Sequence, residues 1–250
     1  MAGGCGGATG AELVFDRLVS ITLGEWPRPV KDAEGGPPGP GKDGMTARST
    51  RPRTRIQREN HETILEAALE VFSAQGFRGT TLDQIAEVAG LSKPNLLYYF
   101  SSKEAIHAAL LERLLDTWLA PLRAMDPSGD PRDELLDYVR RKLEMSREYP
   151  RESRLFANEI LQGAPRLGRL LETDLKPLVD AKAAVLSAWM DAGRIARVHP
   201  VHLIFAVWAL TQHYADFEVQ VRAVLGPGEP DPYPEAERML ERLFGGLLGP

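Results

Sequence analysis

Residues 80–100 read Thr-Thr-Leu-Asp-Gln-Ile-Ala-Glu-Val-Ala-Gly-Leu-Ser-Lys-Pro-Asn-Leu-Leu-Tyr-Tyr-Phe, and few other parts of the chain leave the backbone so little choice. Leu82, Ile85, Ala86 and Ala89 share one face at three- and four-residue spacing, which predicts a short helix. Thr80 or Thr81 can cap its start, with Gln84 as a capping-box partner. Gly90 follows as the residue that takes a left-handed stop without strain. Ser92 offers a fresh N-cap, and Pro94 falls in the first turn of the next helix, where its missing N–H is harmless. Two helices joined this tightly form a helix-turn-helix.

Charge is distributed to match. The chain carries a net charge of −5, so it is not a uniformly basic nucleic-acid coat. Between residues 45 and 60, however, there are five arginines (48, 51, 53, 55 and 58) against the single acid Glu59. From residue 104 onward 18 Lys and Arg face 23 Asp and Glu. A basic arm leading into a helix-turn-helix on an acidic body is the footprint of a local DNA-binding module. The same arginines also read as a solvated linker.

The single cysteine, Cys5, rules out an internal disulfide framework and suits a reducing compartment. The apolar run at 203–210 falls far short of the ~20 residues that span a bilayer. No basic segment leads into an apolar core at the N-terminus, so a cytoplasmic location is expected.

Four regions follow. Residues 1–44 are rich in Gly and Pro and are expected to be a disordered extension; Met45, which opens more protein-like sequence, is one hypothesis for where translation begins. Residues 45–57 are the basic arm, 58–103 the helix-turn-helix domain, and 104–250 a larger helical domain. Beyond the motif every strong pattern has helical period, and no run alternates as a strand would, so the fold class is all-α. The expected helices are 58–75 (closed by Gly76), one from about 81, one from about 92 to 100, and 103–120 stopped by Pro121. Then come 133–148, 152–162, 165–192 with a kink near Pro177, 200–225, and 234–248.

In helix-turn-helix docking the start of the second helix reaches base edges. That places Ser92, Lys93 and Asn95 as base readers, Lys93 suited to guanine and Asn95 to adenine. Thr81, Tyr99 and Lys103 suit phosphate contacts near helix N-termini. Arg51, Arg53 and Arg55 can reach phosphates or an adjacent minor groove. Tyr98 is read either as a DNA contact or as core.

Further on, Trp208, Thr211, Gln212 and Ala215 share a helix face. That pattern fits a ligand wall, and equally a packed tryptophan beside a satisfied core glutamine. His199, His202 and His213 are too irregularly placed for a helical metal site. His213 and Asp216 make an i, i+3 pair, read as an interhelical hydrogen-bonding pair or, remotely, as catalytic groups of an all-α enzyme.

The run from the first helix through residues 80–100 and on to Ser102-Lys103-Glu104-Ala105 resembles the TetR family of ligand-controlled transcription repressors. A narrower likeness lies in Trp118-Leu119-Ala120-Pro121-Leu122, Tyr149-Pro150-Arg151-Glu152-Ser153-Arg154-Leu155-Phe156, Gly163-Ala164-Pro165 and 203–217. These segments resemble the family's pyrimidine-utilisation regulators, which respond to uracil and thymine. The arm, Ala157-Asn158 and the tail after Gly226 depart from that pattern. The resemblance implies a homodimer that binds operator DNA, has no cofactor, and is released by a pyrimidine effector. It favours Trp118, Phe156, Trp208, Thr211 and Gln212 as ligand-binding residues: aromatic walls for a flat ring, and in Gln212 a donor and acceptor for an imide edge. Dimerisation would use the helices at 200–225 and 234–248. The rivals are a family member sensing another small molecule, the enzyme, and an architectural DNA-binding protein without effector.

Overall fold

The computed structural model describes residues 55–228 and 231–247. The expectations for 1–44, for most of the basic arm including Arg51 and Arg53, and for the last three residues lie outside the described residues.

Helix α1 (Arg55–Gly79) buries Ile64, Leu65, Ala68, Leu69, Val71 and Phe72 on one face. Gly76, at φ 69°, breaks the helical geometry as expected, but one further turn follows before Thr80. Helices α2 (Leu82–Val88) and α3 (Lys93–Tyr99) are the motif itself. The capping box at α2 is complete: Gln84 N–H donates to Thr81 Oγ1 at 3.3 Å, and Thr81 N–H donates to Gln84 Oε1 at 2.8 Å. Gly90, at φ 65°, closes α2: its N–H donates to the Glu87 carbonyl (3.0 Å), and the Leu91 N–H donates to Ala86 (2.9 Å). Those two bonds make a Schellman stop, and Ser92 Oγ then caps α3 through the Asn95 N–H.

Helix α4 spans Lys103–Ala124 and runs through Pro121, where the sequence predicts a stop. The last carbonyls find a remote donor: Lys182 Nζ donates to Arg123 O at 2.9 Å and to Met125 O at 2.7 Å. An extra turn is tolerated because its orphan acceptors are satisfied from another helix.

Helix α5 (Pro131–Glu148) starts on the Asp130 cap, and α6 (Pro150–Leu161) follows directly. The expected helix at 165–192 is divided. A turn at Gly168–Leu170 leads into a wide π turn, Leu171–Leu175, before α7 (Lys176–Asp191). Pro177 in the first turn of α7 has no N–H for the carbonyl four residues back, and the widened turn just upstream accommodates it. The expected helix at 200–225 is also two helices, α8 (Pro200–Asp216) and α9 (Glu218–Leu225), with Phe217 outside helical angles between them. Arg154 Nη1, 3.2 Å from the Ala215 carbonyl, occupies the acceptor exposed there. Helix α10 (Tyr233–Leu247) completes the described chain, and no strand occurs among the described residues.

The core of the larger domain is built from α5, α7, α8 and α10, with the C-terminal end of α4. It holds Leu122, Leu135, Tyr138, Leu186, Trp189, Ile204, Val207, Leu240 and Phe244. Helix α8 packs on α5, α6 and α7, and α10 packs on α5.

Candidate DNA-reading face and ligand chamber

Within α3 only Leu96 is buried. Ser92, Lys93, Pro94, Asn95, Leu97 and Tyr98 therefore all face outward along one short helix. Tyr98 is 71% exposed, which removes it from the core and leaves its ring on the outward face. Its hydroxyl accepts from Gln57 Nε2 at 3.3 Å. Tyr99 is half-buried and accepts from Asn60 Nδ2 at 2.8 Å, so both tyrosines tie α3 back to α1. Lys93 Nζ rests 2.8 Å from Asp83 Oδ2, both exposed. An exposed pair of that kind is worth at most about 1 kcal/mol, so it releases the lysine readily to a stronger acceptor. Thr81 is exposed at the capping box, and Arg55 is exposed in a pair with Glu59 at 3.1 Å.

Lys103 has a structural task that its sequence position did not disclose. Its Nζ donates to the carbonyls of Phe77 (2.8 Å) and Thr80 (2.7 Å) and sits 4.5 Å from the Phe77 ring centroid. An ammonium has three donors, so at most one N–H remains for a phosphate. Lys103 thus fastens the turn before α2 to the start of α4. Arg166 stacks on the same Phe77 ring at 3.9 Å and pairs with the buried Glu159 at 3.2 Å. His107, buried on α4, meets Phe72 edge-on at 4.8 Å and Phe77 at 4.9 Å. Burial pulls its pKa down to about 4, helped by the Arg166 and Lys103 cations, against Glu159 and Glu104.

The other end of α4 enters the larger domain. Trp118 is buried there with its ring 6.4 Å from Tyr149. Lys142, on the buried stripe of α5, places Nζ 5.3 Å from the Trp118 ring centroid. Ser153 on α6 donates to Asp216 Oδ1 on α8 at 2.5 Å. One turn along α5 from Lys142, Tyr138 accepts from Trp208 Nε1 at 2.6 Å. On α8, Trp208, Gln212 and Asp216 follow at four-residue steps, so they share a face opposite Tyr138 and Lys142. Four helices bring these side chains together, and the cluster they form is the candidate ligand chamber.

The expected ligand residues are placed unequally. Trp118 lines the chamber from α4 and Trp208 from α8, and Phe156 is half-buried on α6. Thr211 is fully buried, and its hydroxyl donates to the Val207 carbonyl of its own helix at 2.7 Å, leaving only lone pairs to offer. Gln212 is half-buried, and its amide has no side-chain partner among the described residues. Asp216 bonds to Ser153, and the exposed His213 instead stacks on Phe217 at 5.1 Å, so the expected His213–Asp216 pair is not the hydrogen bond that forms. Burial lifts the Asp216 carboxyl above the usual range, opposed by the Ser153 hydrogen bond and the Arg154 and Lys142 charges.

Sequence reasoning passed over Lys142, Ser153, Tyr138 and Tyr149. The available signal was a lysine in register with Leu135, Tyr138 and Val139 on an otherwise apolar face. No helix is long and apolar enough to cross a membrane among the described residues.

Two family profiles match the chain. One, described as bacterial regulatory proteins of the tetR family, covers residues 64–110. The other, described as the C-terminal region of YcdC-like proteins, covers residues 111–249. The HTH-type transcriptional regulator RutR of Escherichia coli (strain K12) is 52% identical over 179 residues, which is 72% of this chain and 84% of that protein. The HTH-type transcriptional activator FasR of Mycolicibacterium smegmatis is 38% identical over 78 residues, 31% of this chain and 36% of that one. Among solved structures, a TetR-like transcriptional regulator from Rhodococcus sp. RHA1 is similar at a TM-score of 0.57 and 26% identity, covering 80% of this chain and 100% of that one. AibR, solved with isovaleryl coenzyme A and operator DNA, shares the fold at a TM-score of 0.57 and 18% identity, covering 74% and 97%.

Proposed function

The chain belongs to the TetR family of bacterial regulators and is a DNA-binding transcriptional regulator, not an enzyme; from that premise we propose that it is a cytoplasmic homodimeric repressor of pyrimidine-utilisation genes, released from its operator by a base such as uracil or thymine. The observation that carries the pyrimidine reading is the chamber between α4, α5, α6 and α8. Indole rings of Trp118 and Trp208 supply apolar walls there. Gln212, with a free amide, offers a donor and an acceptor, as the alternating C=O and N–H edge of a pyrimidine requires.

In the proposed free state two copies hold their α3 helices about one DNA turn (~34 Å) apart. Helix α4 is the connecting rod. Trp118 stands 15 residues from Lys103 along one helix, roughly 22 Å at the usual rise. Ligand drawn in at Trp118 shifts α4, and Lys103 and His107 carry that shift to Phe77 and the turn before α2. Linkage is reciprocal, so operator DNA weakens effector binding by the same factor. The dimer face is drawn from α8, α9 and α10. Phe205, Val219, Val224 and Leu225 are exposed on the first two, Phe217 at the break between them, and Met239 and Leu243 on the third, outside the core that α10 forms with α5.

The test is a gel-shift titration of operator DNA with uracil and thymine, alongside the Gln212→Ala variant. The proposal expects wild-type release by one of the bases and little release in the variant at unchanged DNA affinity. Saturating bases that leave operator affinity unchanged would end the pyrimidine reading.

A further inference from the structure

Lys142 is 2% exposed, and among the described residues the opposite charge that acts on it is Asp216. No ion pair joins them within 4.0 Å among the described residues, and Asp216 already accepts from Ser153. A buried ammonium with an aromatic face beside it but no contact ion is costly to keep, and burial draws this one down to about 7. Beside it, Trp118 is 5% exposed, and its Nε1 donor is buried with no partner. Buried donors are almost always paired. Two donors on neighbouring helices, one of them a potential cation, thus lie close together without a hydrogen-bond acceptor among the described residues. The other polar groups of the chamber are partly taken: Trp208 by Tyr138, and Thr211 by its own helix.

We propose that Lys142 and the Trp118 indole N–H form the oxygen-recognising end of the effector site, and that Lys142 selects cyclic imides able to place negative charge on that oxygen. The inference rests on the pyrimidine reading above and adds what kind of pyrimidine is preferred. An imide N–H flanked by carbonyls is acidic, and its anion spreads charge onto both oxygens. When Lys142 enters as the amine, the imide proton passes to Nζ and the bound pair is ammonium and imidate. When Lys142 enters charged, the imide proton leaves to solvent. Either way one N–H bond breaks, one proton is accepted, and the buried cation gains the counter-charge it lacks. Asp216, held by Ser153, stands ready to accept from the ligand's second N–H. Hydrogen bonds to ionised groups are about twice as strong as neutral ones, so selection follows ligand acidity and not only shape.

The discriminating pair is uracil and 5-fluorouracil, which differ by one small atom and in imide acidity. Calorimetric titration of the full-length dimer is expected to show 5-fluorouracil binding roughly fivefold to tenfold tighter, and the preference to shrink to nearly one in Lys142→Met. The same variant is expected to melt at or above the wild-type temperature, because it removes a buried charge. Lys142→Gln, which keeps a donor without the charge, should bind both bases with little preference between them. Equal wild-type affinity for the two bases overturns the inference and leaves the pyrimidine reading standing. So does a preference that survives in both variants, or a Lys142→Met protein that melts lower and loses both bases alike, since Lys142 would then be structural. Failure of either base to bind the wild type at all overturns the pyrimidine reading, and this inference with it.

Discussion

Acid should loosen the joint between the DNA-reading motif and the body through one side chain, His107. Its ring is packed between Phe72 and Phe77 with Nδ1 unpartnered, and burial and two nearby cations pull its pKa from 6.5 to about 4. The unfolded chain binds a proton at higher pH than the folded one does, so stability rises with pH across that interval. The contribution is complete above about pH 6.5 and is lost as pH falls toward about 4. A gap of about 2.5 units at about 1.4 kcal/mol each sets a ceiling of about 3–4 kcal/mol, and at about pH 4.5 roughly 2–3 kcal/mol of it should be gone. The assay is urea unfolding of the wild type and His107→Leu at about pH 7 and about pH 4.5. Buried carboxyls such as Glu152 and Asp216, whose pKa values are raised, act with the opposite sign, but they are present in both proteins and cancel in the comparison. The wild type should lose about 2–3 kcal/mol more than the variant on acidification. Parallel losses in the two proteins would refute the reasoning.

Three further outcomes are expected. Asn95→Ala should weaken operator binding by about 1–3 kcal/mol and relax base preference at one position, whereas Thr81→Ala should cost about 1 kcal/mol of stability through the lost cap; gel shifts on single-base operator variants and urea melts read the two. Gly90→Ala meets open space but must hold φ 65°, so a loss of about 1–2 kcal/mol in the melt is expected, from backbone strain alone. Arg166→Ala removes the cation stacked on Phe77 and leaves the buried Glu159 with the backbone N–H of residue 166 but no counter-charge from that side chain; we expect effector to bind with little change while its release of DNA is blunted, measured by calorimetry and gel shift on the same preparation.

The motif was legible because its determinants are local. Thr81 with Gln84, Gly90 with Glu87 and Ala86, and Ser92 with Asn95 all close within five residues, so the residue order alone specifies both helices and the turn. The helix breaks were less legible where distant residues decide them. The extra turn after Pro121 depends on Lys182, and the break at Phe217 has Arg154 at its carbonyl. Trp118, Trp208 and Gln212 stood out by residue type and spacing. Lys103 did not reveal itself as a cap on two carbonyls, because those carbonyls come from the end of α1 and the turn after it, more than twenty residues earlier.

What the sequence by itself determined, then, is the helix-turn-helix, the all-α class and the outward residues of α3, since periodicity and capping act over a turn or two. What only the tertiary structure decided is the chemistry of the chamber. A lysine on a helix looks the same in sequence whether it meets water or an indole; Lys142 is buried without a contact ion because α4, α5, α6 and α8 close around it. The Ser153–Asp216 bond likewise exists only where α6 crosses α8. Burial and charge pairing are properties of converging helices, and no single segment encodes them.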